Sequence, residues 1–378
     1  MKKVIVIGAG ILGASTAYQL VKKGADVTVI DATKPGGATA AAAGIICPWL
    51  SQRRNKAWYT LARNGAAFYP SLMNQLQKDG EHDTGYEQVG ALHLSPLENK
   101  ADLAAERATH RREEAPLIGE VTRLSGQEAQ VKFPLLASEL PAVFVSGAAR
   151  VDGRALQQSL LRAAQKNGAT FIQGEAHLIV ENERVRGVTV DHTTLEAETV
   201  IVCAGAWSRS LFTPLGLDLD VTYQKAQIAH FHTDEATDQW PVIMPPGDQY
   251  LLAFANGRLV AGATHENDVS LHNTATTVGG LHEVFTKALT IAPGLEQATF
   301  IESRTGFRPF MPGFLPMFGN VDGIEGLLAG NGLGASGLTM GPYIGEQLAR
   351  LALDETPDLD LSPYSLTPAI TQKKKPSA

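Results

Sequence analysis

Cysteine is nearly missing from this 378-residue chain: Cys47 and Cys203 stand far apart, with no C-x-x-C pair. Such usage excludes a disulfide framework and fits a reducing compartment, so a cytoplasmic location and two buried, inert thiols are expected. Surplus positive charge is missing too. The net charge is −7, and the only basic run, Lys373 to Lys375, sits in the tail. A nucleic-acid groove needs clustered Lys and Arg, so no nucleic-acid partner is expected. No apolar run reaches bilayer-spanning length, which excludes a transmembrane segment and leaves only peripheral membrane contact. Among ten histidines, His230 and His232 alternate on one strand, but no third ligand accompanies them at a metal spacing. No metal is therefore expected.

What is present begins at residue 4. VIVIGAGILGASTAYQLVKKGADVTVID reads as strand, glycine turn, helix, strand, with Gly8, Gly10 and Gly13 in G-x-G-x-x-G spacing. The first glycine permits the turn, the second lets backbone approach a pyrophosphate, and the third allows close packing of helix on strand. The phosphates then sit at the positive end of the helix. Asp31 closes the second strand, where a carboxylate accepts hydrogen bonds from ribose hydroxyls. Met1-Lys2-Lys3 and the apolar residues to Ala17 also have the outline of a signal peptide. Three glycines at dinucleotide spacing and an acid-terminated strand have no use in a cleaved segment.

With 44% hydrophobic residues, a chain of this length is expected to fill two domains. After Asp31, the run ATAAAAG predicts a short helix with Thr39 near an anionic ligand. Residues 55–79 and 98–115 read as exposed helices, the second with a solvated charge run. Glu87 to Ser95 alternates as a strand, a short helix follows near Ser125, and Asp152 caps a helix with Leu156, Leu160, Leu161 and Ala164 on one stripe. His177–Val180 and Arg184–Val190 form a hairpin, and 198–204 is a buried strand whose small-residue end borders a ligand. Strands over 221–231, 249–254, 258–264 and 298–306 predict an antiparallel sheet. The chain then returns to the first domain through GNGLGASGLTMGP.

In order, the amino-terminal glycine motif, ATAAAAG, VDGRALQQSL, VIVCAGAWS, GFRPFMPGFLPMFG and GNGLGASGLTMGP resemble the D-amino acid oxidase family of FAD-dependent oxidoreductases. The resemblance covers most of the chain. It implies a doubly wound α/β FAD-binding domain (1–48, 146–220, 307–365) and a smaller substrate domain on an antiparallel sheet (49–145, 221–306), with 366–378 a disordered tail. It further implies FAD bound by Gly8, Gly10, Ile11, Leu12, Gly13, Asp31, Ala38, Thr39, Ala43, Gly44, Ile45, His177, Ala204, Gly205, Trp207, Arg308, Gly332, Leu333, Gly334, Ser336, Gly337 and Leu338. No cysteine lies in RPFMPGFLP, so the FAD is expected to be non-covalent.

The activity implied is hydride removal from a small amino acid (a D-amino acid, glycine or an N-methyl amino acid), giving an oxo acid and an amine or ammonia. Oxygen or another acceptor then takes the electrons, and a homo-oligomer is compatible with the family. Arg308 matches the family's carboxylate-binding position and Tyr250 a tyrosine that also touches the carboxylate. A guanidinium suits that task because its two N–H bonds run parallel to a carboxylate's oxygens. Arg304 would share a face with Arg308 on an unbroken strand, but Gly306 is expected to break it, so Arg304 is left out of the site. Asp31 replaces the family's commoner glutamate. Ala335 and Gly313 stand where some oxidases carry an arginine and an acid, which points to a less polar site, with Trp49, Phe310 and Met311 as candidates either to line it or to pack in the core. The alternatives are flavin oxidation of an aminomethyl group on a tRNA base, or a non-catalytic flavin-binding module.

Overall fold

The structure is a computed structural model that describes residues 1–372. Of the expected tail, only residues 373–378, Lys373 to Lys375 among them, lie outside the described residues. The tail does not begin at 366, because Ile370–Gln372 pairs antiparallel with Leu217–Leu219 and Ala369 is fully buried.

Six strands form the first sheet, in the order Met317–Asn320, Leu327–Asn331, Thr199–Val202, Lys3–Ile7, Asp26–Asp31 and Thr170–Gln173. All its pairs are parallel except the first. Lys3–Ile7 is central and covered on both faces, which is why it reads as a continuous apolar run. Helices Ile11–Lys22, Gly153–Lys166 and Gly337–Ala352 share a core with one face, through Val4, Val6, Val27 and Leu328. The opposite face, through Ile5, Ile7 and Val202, packs on an antiparallel meander of Ala176–Glu181, Arg184–Val190 and Thr193–Glu196. Asp152 caps the second of these helices as expected, accepting from the Arg154 and Ala155 N–H groups.

The second sheet has eight strands: Thr299–Phe310, Thr222–His232, Arg258–Gly262, Tyr250–Ala253, Val242–Met244, Ala91–Leu94, Ala142–Val145 and Val121–Leu124. It is antiparallel apart from the parallel pair of 242–244 with 91–94. Period-two alternation on 222–232 divides its side chains. Ala229 and Phe231 join the core beneath helix Val278–Ile291, and Ala226 opens on the opposite side into a cavity.

Three expectations change here. Helix Lys56–Lys78 is not an exposed helix. Trp58, Leu61, Ala62, Ala66, Tyr69, Leu72 and Leu76 bury one stripe, and Gly65 lets the backbone approach the last helix so closely that a Cβ would lie 2.2 Å from the Thr339 carbonyl oxygen. Within the charge run of Glu98–Glu114, Arg111 donates to the Trp49 and Ser51 carbonyls, so it ties down a loop instead of only facing water. Finally, Thr299–Phe310 runs unbroken through Gly306. The glycine serves a close approach, since a Cβ there would stand 2.8 Å from Ala41 Cβ. The expected domain boundary at 306/307 therefore falls inside a strand.

Candidate active site

A cavity of about 640 Å³ is lined by residues of both sheets. One end is built from backbone. Gly8 leaves the central strand at φ +102°, a conformation in which a side chain would be strained, and its Cβ would lie 2.5 Å from the Cys203 carbonyl oxygen. Gly13 lies behind the lining, where a Cβ would come within 1.8 Å of the Gly8 oxygen. Helix Ile11–Lys22 begins at Gly10 with no side-chain cap, and the Ile11 N–H donates to Thr39 Oγ1 at 2.9 Å. Thr39 thus takes one N–H of the first turn, and the helix start at Gly10, Ile11 and Leu12 still lines the cavity, where its positive end suits an anionic group. Asp31 accepts from the Ala9 N–H at 2.5 Å and the Thr33 N–H at 2.6 Å.

The opposite end is built from side chains. Arg308 pairs in register with Gln224 on the neighbouring strand and donates to its Oε1 at 3.3 Å. Tyr250 lies opposite Gly262, and burial raises its phenol pKa while the adjacent Arg308 guanidinium opposes the rise. Asp248 and His265 complete this end, with Nδ1 of the imidazole 3.1 Å from Asp248 Oδ2. Burial lowers the His265 pKa and the Arg308 charge lowers it further, against the pull of Asp248. Burial works against the Asp248 carboxylate, yet hydrogen bonds from Gln249 and Lys287 and the charges of His265 and Lys287 hold its pKa below the ordinary value.

Residues 3–351 match the family model described as FAD dependent oxidoreductase. The chain belongs to that family. It is 58% identical to the uncharacterized oxidoreductase YurR of Bacillus subtilis (strain 168), over 96% of this chain and 98% of that protein. Among solved structures it is similar to iminodiacetate oxidase from Chelativorans sp. BNC1, with TM-score 0.92 and 43% identity over 96% of this chain and 98% of that one. Glycine oxidase from Geobacillus kaustophilus gives TM-score 0.86 and 26% identity over 97% and 99%. The cofactor of this oxidoreductase is FAD.

The cavity fits such a cofactor. Added Cβ atoms at Gly37 and Gly205 would meet nothing within 4 Å, so bare backbone faces open space along its length. Of the residues read as FAD-binding in the sequence, Gly8, Gly10, Ile11, Leu12, Asp31, Ala38, Thr39, Ala43, Gly44, Ile45, Ala204, Gly205, Trp207, Arg308, Leu333, Gly334, Gly337 and Leu338 line this cavity, with Tyr250 at the polar end. Helix Gly337–Ala352 also starts there without a side-chain cap.

Other expected site residues of the oxidoreductase fall elsewhere. His177 is exposed, because alternation along Ala176–Glu181 turns Ala176 toward the cavity and the next side chain away. Gly332 and Ser336 lie off the lining. A Cβ on Gly332 would meet Met311 Cγ at 2.4 Å, so that glycine serves packing. Trp49, Phe310 and Met311 do not line the cavity either. Trp49 and Met311 are core residues, and the Phe310 ring sits against Gly334 and Phe314. Although Arg304 shares a strand with Arg308, it pairs with Glu302 outside the cavity. Both thiols are buried, which pushes Cys47 and Cys203 up to about 12.

Sequence reasoning missed Asp248, His265, Gln157 and Asn331. Asn331 is buried and donates to the Gly205 carbonyl at 2.9 Å and Ser208 Oγ at 2.8 Å, joining two loops of the cavity wall. Gln157 donates to the Ala9 carbonyl at 2.5 Å. A signal for the first two existed. Once Tyr250–Ala253 and Arg258–Gly262 are paired as a hairpin, residues just before Tyr250 must lie beside residues just after Gly262.

Proposed function

We propose that this oxidoreductase removes a hydride from the α-carbon of a small amino acid (glycine, an N-substituted glycine or a D-amino acid) and yields an imine that water hydrolyses to an oxo acid and an amine or ammonia. The observation carrying the proposal is Arg308 beside Tyr250 and His265 in the cavity lining, at the end away from the glycine turn and Asp31. FAD supplies the two-electron acceptor when bound. Its pyrophosphate would be held at the start of helix Ile11–Lys22, its ribose by Asp31, and its ring near Gly334 and Leu338, without covalent attachment.

Arg308 would hold the substrate carboxylate through two parallel hydrogen bonds, and Tyr250 would donate a third. Fixing the carboxylate fixes which α-hydrogen faces the ring, so orientation contributes most of the protein's share of the catalysis. Similarity to an iminodiacetate oxidase puts secondary amines alongside primary ones as substrates to test. Anaerobic mixing of the holoenzyme with glycine, sarcosine, iminodiacetate, D-alanine and D-proline is expected to bleach the flavin absorbance with at least one, and admission of air then reports whether oxygen restores it. Bleaching by none would overturn the substrate class.

A further inference from the structure

Oxidation of an amine by hydride loss needs the nitrogen lone pair, and an amino acid enters as an ammonium ion that has none. Some group must take that proton before the C–H bond breaks. Among the described residues lining the polar end, Arg308 is a permanent cation and cannot. Tyr250 is a phenol whose pKa is raised, so it stays protonated and cannot accept at neutral pH. The Asp248 carboxylate is already divided, with Lys287 Nζ 3.3 Å from Oδ1 and His265 Nδ1 3.1 Å from Oδ2.

His265 remains. With Nδ1 facing a carboxylate, the neutral ring carries its proton on that nitrogen and leaves the Nε2 lone pair free. We propose that His265 Nε2 is the acceptor for the substrate's ammonium proton, and that Asp248 is the positioning residue that fixes its tautomer. This rests on the function proposed above. The N–H bond breaks and an Nε2–H bond forms. The freed lone pair then becomes the C=N π bond as the α-hydrogen leaves with its electron pair for the flavin, so the substrate loses two electrons and FAD gains them.

The charges that face His265 come from several elements. Arg308 on the 299–310 strand disfavours the imidazolium, and so does Lys287 on helix Val278–Ile291; Asp248 and Glu283 favour it. Burial and Arg308 prevail, so the ring is held below the ordinary histidine pKa and is neutral at pH 7. A group with a depressed pKa is competent as a base above that pKa and is lost as pH falls through it.

The test is the limiting rate of anaerobic flavin bleaching between pH 5 and 10, read for the wild-type holoenzyme, His265→Asn and Asp248→Asn, with the fastest amine among glycine, sarcosine and iminodiacetate. Wild type should hold a plateau at and above neutral pH and fall on the acid side. His265→Asn should be slower by about 100-fold at pH 7, with the gap closing as pH climbs toward the amine's own pKa. Asp248→Asn should lie between them. A His265→Asn profile parallel to wild type would overturn the proposal, as would a wild-type rate that falls with rising pH, the mark of an imidazolium that binds an anion. A second readout is independent of turnover: 15N shifts of labelled His265 at pH 8 should show Nδ1 protonated and Nε2 bare, with that preference lost in Asp248→Asn. Nε2 protonated in wild type would sink the assignment. Absence of bleaching by every amine in wild type would sink the proposed function instead, and the tautomer would still decide the state of His265.

Discussion

The two ends of the cavity are made of different material. At the nucleotide end the chain's backbone does the shaping. Gly8 and Gly13 let a strand, a turn and a helix approach more closely than any side chain would allow, and Asp31, the charged side chain that the motif places in the lining, is held by two backbone N–H groups. At the polar end, Arg308 and Tyr250 on two strands meet Asp248 and His265 on the segments flanking the 250–262 hairpin, and the backbone serves only to set their register. A backbone-shaped site constrains residue type at fixed spacing along one stretch. A side-chain site constrains positions that are neighbours only after the sheet has formed.

That contrast predicts graded effects. Gly13→Ala places a Cβ 1.8 Å from the Gly8 oxygen, where neither backbone has room to retreat. Loss of about 3 kcal/mol or more of stability is expected, seen as a lower melting temperature together with a protein that elutes without flavin. Retention of FAD at an unchanged melting temperature would break the comparison. Asp31→Ala removes the acceptor for the Ala9 and Thr33 N–H groups and leaves the glycine cradle in place. Its FAD dissociation constant should rise by about 10- to 100-fold, as for loss of charge-assisted hydrogen bonds. Flavin release at equilibrium dialysis measures it. Tyr250→Phe keeps the ring and deletes one donor to the carboxylate, so KM should rise about tenfold, the low end for one hydrogen bond to a charged group, with flavin content unchanged. A fall in flavin content in this variant would show that the two ends are not separately built.

The same contrast explains what the sequence disclosed. The amino-terminal strand–turn–helix–strand, the buried strand ending near 204 and the cap at Asp152 were legible because each rests on local chemistry: an apolar run, a glycine at a turn, a side chain that accepts from the next turn's N–H groups. Arg308 and Tyr250 were found only through resemblance, since nothing local distinguishes an arginine that lines a cavity from Arg304, four residues earlier, that pairs with Glu302. Gly306 misled because a glycine in a strand serves equally as a breaker or as a point of close approach, and which one depends on Ala41, more than 260 residues away. His177 failed for the converse reason: a period of two gives neighbouring residues opposite faces, so an error of one position moves a side chain from cavity to solvent. Order within the eight-stranded sheet, with 91–94 inserted beside 242–244, carries no local mark at all.

Separate construction of the two ends is tested most directly by Arg308→Ala, with Arg308→Lys beside it, measured for both FAD affinity and anaerobic flavin reduction by the best amino acid from the screen. Removal of a charged hydrogen-bond partner from a substrate carboxylate costs about 2 to 5 kcal/mol. The account therefore predicts FAD affinity within about twofold of wild type, given that the nucleotide contacts are untouched, and a loss of roughly 30-fold or more in the second-order rate of reduction, only partly restored by lysine, which lacks the paired geometry. Reduction at the wild-type rate in Arg308→Ala would contradict it.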